Sequence, residues 1–506
     1  MRPFVALTWF AALVAFVAGT VLLRGHLLDD TFIHLRYAEN FARTGELAYN
    51  EGEPSFGTSA LAYVIFFANL TRWVPREALP DVAKWLTVAC HAALLGLLAW
   101  RTHRFLRRGA MTAALWMSAF ALAVAMPATG RWLQDGMETS LAVLLAVLAG
   151  VVPSRFRRSP PQSAWIALAC GLAAAAPGGL RVDLVPISVA SLGLALASWR
   201  ERNRAEEQAK RGLTIPAAMT GAWLAVLLVT VSVLFLQTGH LVSDSAVAKQ
   251  KGHVVPRFVI DFLISMGSVS PVWLLGAGLL ILRLRKPTAA VIFGLFPITA
   301  VLGAGTLTGQ FIHGARYFLP SLAFAWVTYL EQRSTEPDAQ RLRFERFAVL
   351  ASMALTVLHM SVGARPLLRV TRPPMLRGDV LSALDDTTLV AAHDIGRLGW
   401  VTKARMLDLA GLVNGRRLAT EVAHKERLCK AADAMGVPKM LILTDAQAEP
   451  RRTGDVIELR CDRVRASYVR RAEPVMVASN LKTPLHWYAW ELVRDDATPM
   501  NQARTP

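Results

Sequence analysis

Two adjacent carboxylates, Asp29 and Asp30, follow closely on an apolar stretch over residues 4–23. A stretch of that length crosses the ~30 Å hydrocarbon layer of a membrane. A carboxylate pair at its end is poor anchoring material, but it is suited to taking a proton from a sugar hydroxyl or holding a cation. A plainer use, helix N-capping, accounts for Asp30 and leaves Asp29 without a role. Downstream, Asp135 and Glu138 share a face at i, i+3 if residues 130–139 are helical. Facing the first pair, they can bind a divalent ion or sugar hydroxyls; the alternative is a solvated helix start. Arg181 and Asp183, one residue apart, are spaced for an ion pair. Lys249, Lys251, His253 and Arg257 form one cationic cluster, and His313 with Arg316 another.

The elements that position these groups read as membrane helices. Of the 506 residues, 54% are hydrophobic, and the mean hydropathy is +0.37. The net charge of +18 comes from basic residues in short loops between apolar runs. That is the inside-positive pattern, and it argues against nucleic acid as a partner while favouring anionic headgroups. The first stretch is too long for an ordinary signal-peptide core and lacks a clear cleavage site, so it reads as a retained span. With the basic loops near residues 101–108, 155–158, 200–211, 283–286 and 341–346 in the cytoplasm, spans are expected near 82–100, 110–126, 139–152, 163–176, 184–199 and 213–236. Further spans are expected near 271–282, 287–306, 317–330 and 347–362. With the first this makes about eleven, the N-terminus inside and the C-terminus outside. The segment 58–74 is apolar but short, and reads as a juxtamembrane or re-entrant helix on the outer face. The unusual polar residues then gather on that face.

From Asp29 to Phe41 the pattern predicts a helix lying in the outer interface, with Ile33, Tyr37 and Phe41 on one stripe and His34, Arg36 and Asn40 elsewhere. A turn-rich loop through Tyr49, Asn50, Gly52, Pro54 and Gly57 leads into the short helix. Cations on the outer face run against the charge rule. Collectively they ask for an anionic partner, with a lipid phosphate the natural one and snorkelling the competing account for each singly.

Beyond about residue 363 long apolar runs vanish. Strand-like runs at 389–392, 439–443, 456–459 and 475–477, with a helical run at 421–435, predict a small α/β domain on the outer surface. The division is 1–364 for the membrane domain, with its outer loop at 25–60, and 365–506 for the outer domain. Cys429 and Cys461 fall in the latter, either paired or as two buried thiols; Cys90 and Cys170 fall in spans as packing residues. No phosphate-binding G-x-x-x-x-G-K-[ST], strand-linked G-x-G-x-x-G, H-E-x-x-H or C-x-x-C occurs, which leaves nucleotide-dependent transport or synthesis without support.

The first-loop run, with its aspartate pair, Phe32-Ile33, Arg36-Tyr37-Ala38, Asn40, Tyr49-Asn50-x-Gly52-Glu53 and Gly57-Thr58-Ser59, resembles the first outer loop of GT-C fold glycosyltransferases. It is most similar to cell-wall terminal arabinofuranosyltransferases and related polyprenyl-phosphate-sugar enzymes. Gly136-Met137-Glu138-Thr139, Arg181-x-Asp183, Arg316-Tyr317, Asp394-Ile395-Gly396-x-Leu398-Gly399 and Asp408-Leu409-x-Gly411-Leu412 extend the resemblance along nearly the whole chain. The chain departs from that group at Val182, where Arg-Pro-Asp is frequent, and at Ser55-Phe56-Gly57-Thr58, where a more acidic stretch is.

The resemblance implies a mainly α GT-C membrane protein of the bacterial inner membrane. Its activity would be inverting transfer of a sugar, a pentofuranose such as arabinose favoured, from a polyprenyl monophosphate donor to a glycan or glycoprotein acceptor of the cell envelope. Asp29 is then expected as general base, with Asp30 orienting the acceptor or stabilising charge at the anomeric carbon. Arg181, Arg316 and Lys249 are expected at the leaving phosphate and Glu138 at sugar hydroxyls. His34, Arg36, Tyr37, Asp183 and His313 are expected as further substrate contacts. No cofactor is required, and a divalent cation is optional. The other class considered is a polytopic transporter or lipid-linked sugar flippase, which predicts mid-membrane charges and internal symmetry.

Overall fold

The structure, a computed structural model, describes residues 2–158, 163–205, 214–248, 270, 272–284, 288–308, 314–334, 354, 375–376, 384–385, 388–420, 428–429, 432, 435–448, 452–461, 465–478 and 485–495. Apolar helices stand where the sequence predicts them: Arg2–Leu22, Leu79–Arg107, Met111–Ala125, Thr139–Arg158, Ala164–Leu180, Val185–Ala205, Thr214–Thr238, Val272–Ile281, Ala289–Thr308 and Gly314–Arg333. Among the described residues, four helical stretches are long and apolar enough to cross a membrane: Arg2–Leu22, Arg76–Arg107, Val182–Glu201 and Thr214–Thr238. A fifth is added if Met111–Ala125 and Pro127–Leu133, bent by 69°, form one span.

This is fewer than the eleven crossings expected, because several apolar helices stop short. Val272–Ile281 has 10 residues, about 15 Å at 1.5 Å per residue and roughly half the hydrocarbon thickness. The span expected at 347–362 lies almost wholly outside the described residues. The bend at 126–127 has a local cause: Pro127 offers no N–H, and Met126 before it is driven to φ −59°, ψ 139°. Leu61–Leu70, within the predicted re-entrant segment, is likewise 10 residues long.

Helix Arg2–Leu22 exposes Phe4, Leu7, Phe10, Leu13 and Val17, and Thr214–Thr238 exposes Leu224, Leu228, Val229, Phe235 and Leu236. Apolar faces of that size are compatible with a membrane protein, whose helices meet lipid rather than water. Inside the bundle, Phe120 stacks on Trp326 at 5.5 Å and meets Trp273 edge-on at 5.1 Å.

The C-terminal part forms an eight-stranded sheet. Its strands are β1 Met375–Leu376, β2 Leu389–Ala392, β3 Arg405–Asp408, β4 Met440–Thr444, β5 Arg452–Thr453, β6 Val456–Arg460, β7 Arg465–Ala478 and β8 Leu485–Asp495. The order is β3-β2-β4-β8-β7-β6-β5, with β1 beside β7. β2 runs parallel to β3 and β4, and the other pairings are antiparallel. β2 and β4 are buried on both faces and read as continuous apolar runs for that reason. Side chains alternate between two cores: Leu389, Ala391, Leu441 and Leu443 join Tyr468 and Trp490 on one side. Val390, Ala392, Met440 and Ile442 join Phe32, Ile33 and Tyr37 on the other. The sheet therefore shares a core with the first polar segment. Cys429 and Cys461 are disulfide-bonded, with Cα atoms 5.2 Å apart, and Cys90 and Cys170 are buried free thiols. Most of the helical run expected at 421–435 lies outside the described residues.

Candidate functional site

Helix Asp29–Thr44 begins directly at the aspartate pair, with Leu28 at the N-cap, so Asp30 is not the cap of its own helix. Nor does the helix lie half-exposed in an interface. Thr31 to Ala38 and Asn40 are buried, because Leu61–Leu70 covers one side and the sheet domain covers the polar side. The two aspartates project differently. Asp30 enters a cleft bordered by His34, Thr58, Met137, Glu138, Arg181, Arg316 and Tyr317. The enclosed space is about 40 Å³, room for a few waters.

In this cleft Arg316 pairs with Asp30 at 2.8 Å and also donates to Met137 Sδ and the Tyr317 hydroxyl, each at 3.1 Å. Arg181 forms the predicted pair with Asp183 through Nε (2.9 Å) and Nη2 (2.7 Å), and donates to Glu138 at 2.8 Å. Its guanidinium lies 5.1 Å from the Tyr317 ring centre, as does that of Arg316. His34 Nε2 is 3.8 Å from Glu138 Oε2, and a 2.9 Å hydrogen bond joins its Nδ1 to Thr58. Each arginine thus meets a protein carboxylate: Arg181 the one its spacing predicts, and Arg316 the Asp30 carboxylate, which the sequence had not paired with it. At this cleft, Nε–H of Arg316 and Oε2 of Glu138 are buried without a hydrogen-bond partner among the described residues.

Burial would raise the Glu138 pKa, but Arg181, His34 and Arg316 outweigh it and hold the group below its ordinary value, as a carboxylate. His34 is pushed down, by burial first, with Glu138 and Asp30 pulling the other way. Burial also opposes the guanidinium charges. It is overcome at Arg181 by Asp183 and Glu138, and at Arg316 by Tyr317 and Asp30.

Asp29 lies outside the cleft. Its carboxylate accepts the backbone N–H groups of Gly396 and Arg397, each at 2.8 Å, and so caps the sheet-domain helix Gly396–Thr402. Burial, then Asp394, push its pKa up to about 7. Arg36 is in the same seam, donating to the carbonyls of Tyr49 (2.9 Å), Gly399 (2.7 Å) and Ala404 (2.8 Å). Tyr37 is buried against Ser55, 2.7 Å from its hydroxyl, and accepts the Gly57 N–H. Tyr49 donates to Ile395 O at 2.7 Å, and Asn50 both donates to and accepts from the Met406 backbone at 2.9 Å. Arg36 and Tyr37, expected at substrate, are outside the Asp30 cleft: Arg36 holds the first loop to the sheet domain, and Tyr37 braces the loop itself.

Asp135 and Glu138 are in a turn, not a helix. Gly136, at φ +85°, takes the left-handed conformation glycine allows, so the two acids do not share a helical face. Asp135 is buried, accepts the Met137 N–H, and has its pKa raised to about 7 by burial. The facing-acids metal site is therefore not formed, and the described residues contain no group of three or more His, Cys, Asp or Glu able to hold a metal ion. Lys249, Lys251, His253, Arg257 and His313 lie outside the described residues.

Thr58, Met137 and Tyr317 also line the cleft, inside the motifs Gly57-Thr58-Ser59, Gly136-Met137-Glu138-Thr139 and Arg316-Tyr317, without being expected there as site residues. A methionine or threonine signals no chemistry until its neighbours are known.

Residues 375–494 match a family described as a domain of unknown function (DUF8728). No curated protein sequence matches the chain. The matched span runs from β1 into β8 and includes the seam residues Gly396, Gly399 and Met406, while every residue named above in the Asp30 cleft precedes it.

Proposed function

We propose that the chain is a GT-C-type membrane glycosyltransferase, its shorter apolar helices completing a bundle of about eleven. It moves a sugar, a pentofuranose such as arabinose, from a polyprenyl monophosphate to a glycan or glycoprotein acceptor on the outer face of the bacterial inner membrane. The observation that carries this reading is the convergence of Asp30, His34, Glu138, Arg181 and Arg316, from four distant segments, on one buried polar cleft. Buried charge of both signs around an open space is costly, and a site for charged chemistry accounts for it.

In this reading Asp30, not Asp29, is the base. Its carboxylate takes the proton of the acceptor hydroxyl, whose oxygen bonds to the anomeric carbon from the side opposite the phosphate. The bond from that carbon to the phosphate oxygen breaks, its electron pair leaves on the polyprenyl phosphate, and the configuration inverts. Arg316, through its unused Nε–H, and Arg181 stabilise the charge that develops on the leaving group. Glu138, held ionised, accepts a sugar hydroxyl at Oε2. His34, hydrogen-bonded to Thr58, fixes the floor of the cleft.

The test is transfer from a radiolabelled polyprenyl-phosphate pentose by purified protein in vesicles. Asp30→Asn should lower the rate by ~10²–10⁴ with folding intact. Asp29→Asn should leave the rate within about tenfold, below the contribution of a general base. Near-parental transfer by Asp30→Asn removes the mechanism, and labelled lipid crossing sealed vesicles without transfer favours a flippase.

A further inference from the structure

A second cavity, of about 260 Å³, lies between the Asp29–Thr44 helix, the loop after it and the Gly396–Thr402 helix. Five cations border it: Arg36, Arg43, Arg76, Lys403 and Arg405. Three are answered by carboxylates: Arg43 by Glu51, Arg76 by Glu39 and Arg405 by Glu53. Arg36 is buried, and its donors go to the carbonyls of Tyr49, Gly399 and Ala404. Those bonds take one N–H on each of its three nitrogens, and its charge has no carboxylate partner among the described residues. Lys403 is exposed, and its ammonium forms no hydrogen bond or ion pair among the described residues.

Lys403 also stands where lysine is a costly choice. It ends the Gly396–Thr402 helix at φ +58°, the left-handed conformation in which glycine is the ordinary terminating residue. A side chain there costs on the order of 1–3 kcal/mol. Strain retained at the border of a cavity, on the residue that brings an unanswered charge to it, points to use of that charge.

We propose that this cavity binds one oxyanion group, a phosphate or a carboxylate, on a ligand that bridges the first polar loop and the sheet domain. Two positive charges in excess set its sign, and Arg36 and Lys403, one from each side of the seam, meet the ligand together. The site stands apart from the Asp30 cleft and does not depend on the transferase reading.

Titration calorimetry on the full chain in neutral detergent tests it, with sodium phosphate and sodium glucuronate as probes and chloride at equal ionic strength as reference. Saturable binding of at least one probe is expected, with a melting temperature that rises with its concentration. Lys403→Gly removes the charge and relieves the backbone, so the variant should fold at least as stably as the parent while its affinity falls roughly tenfold. Equal affinity in parent and variant overturns the proposal, as does absence of saturable binding by both probes. Nanodiscs identify the source: competition by phosphatidylglycerol but not phosphatidylcholine makes a lipid headgroup the ligand. Binding undisturbed by either lipid makes it a soluble oxyanion, and both results uphold the site.

Discussion

Asp29 and Asp30 are neighbours in sequence and differ in every physical respect that matters. One carboxylate caps a helix that lies more than 360 residues away in the chain, and the other faces an arginine in a cleft. Asp135 offers a second residue-scale test. It titrates near 7 in the folded chain because burial disfavours its charge, against an ordinary value of 3.8. Asp29 behaves alike. Between those limits the folded chain holds protons that the unfolded chain has released, so stability falls as pH rises from about 4 to about 7 and levels off above. Asp135→Asn, which keeps an acceptor for the Met137 N–H, should flatten that slope in melting curves taken across the window. An unchanged slope would mean that the acid is not desolvated as described.

At the scale of elements, the seam between helices Asp29–Thr44 and Gly396–Thr402 decides how the first loop meets the sheet. The two approach so closely that a Cβ at Gly399 would strike the Tyr49 hydroxyl and Arg36 Nη1. Gly399→Ala should therefore cost about 1–3 kcal/mol and lower the melting temperature. Gly96, inside helix Leu79–Arg107 with open space around it, is the matched control. There alanine should be neutral or stabilise by roughly 0.5–1 kcal/mol, since glycine is a poor helix former. Equal effects at the two positions would argue that the seam is loose.

For the whole molecule, the disulfide offers a measure of how far the sheet domain stands by itself. Cys429 and Cys461 are 32 residues apart, and closing a loop of that size contributes roughly 3–4 kcal/mol by restricting the unfolded chain. Cys461→Ser, or a reductant, should lower the stability of the sheet domain by about that amount in thermal unfolding, leaving the helices folded. A disulfide persists in an oxidising compartment, which agrees with the proposed outer placement of this domain. Protease added to intact spheroplasts should then cut it; cleavage only in inverted vesicles would reverse the orientation and remove the transferase proposal with it.

Much of this architecture was legible in the residues alone. Apolar runs of sufficient length and the β-rich runs at 389–392, 439–443 and 456–459 located helices and strands, because hydropathy and periodicity are local properties. The pairing of Arg181 with Asp183 was legible for the same reason: the two are one residue apart and need no fold to meet. What local pattern cannot carry is which side of a motif faces what. Asp29, Arg36 and Tyr49 stand in the same short run as Asp30 and His34, yet the first three bind the sheet domain and the last two line the cleft. Successive residues on a helix point about 100° apart, so neighbours in sequence are delivered to different partners, and only the tertiary structure decides which.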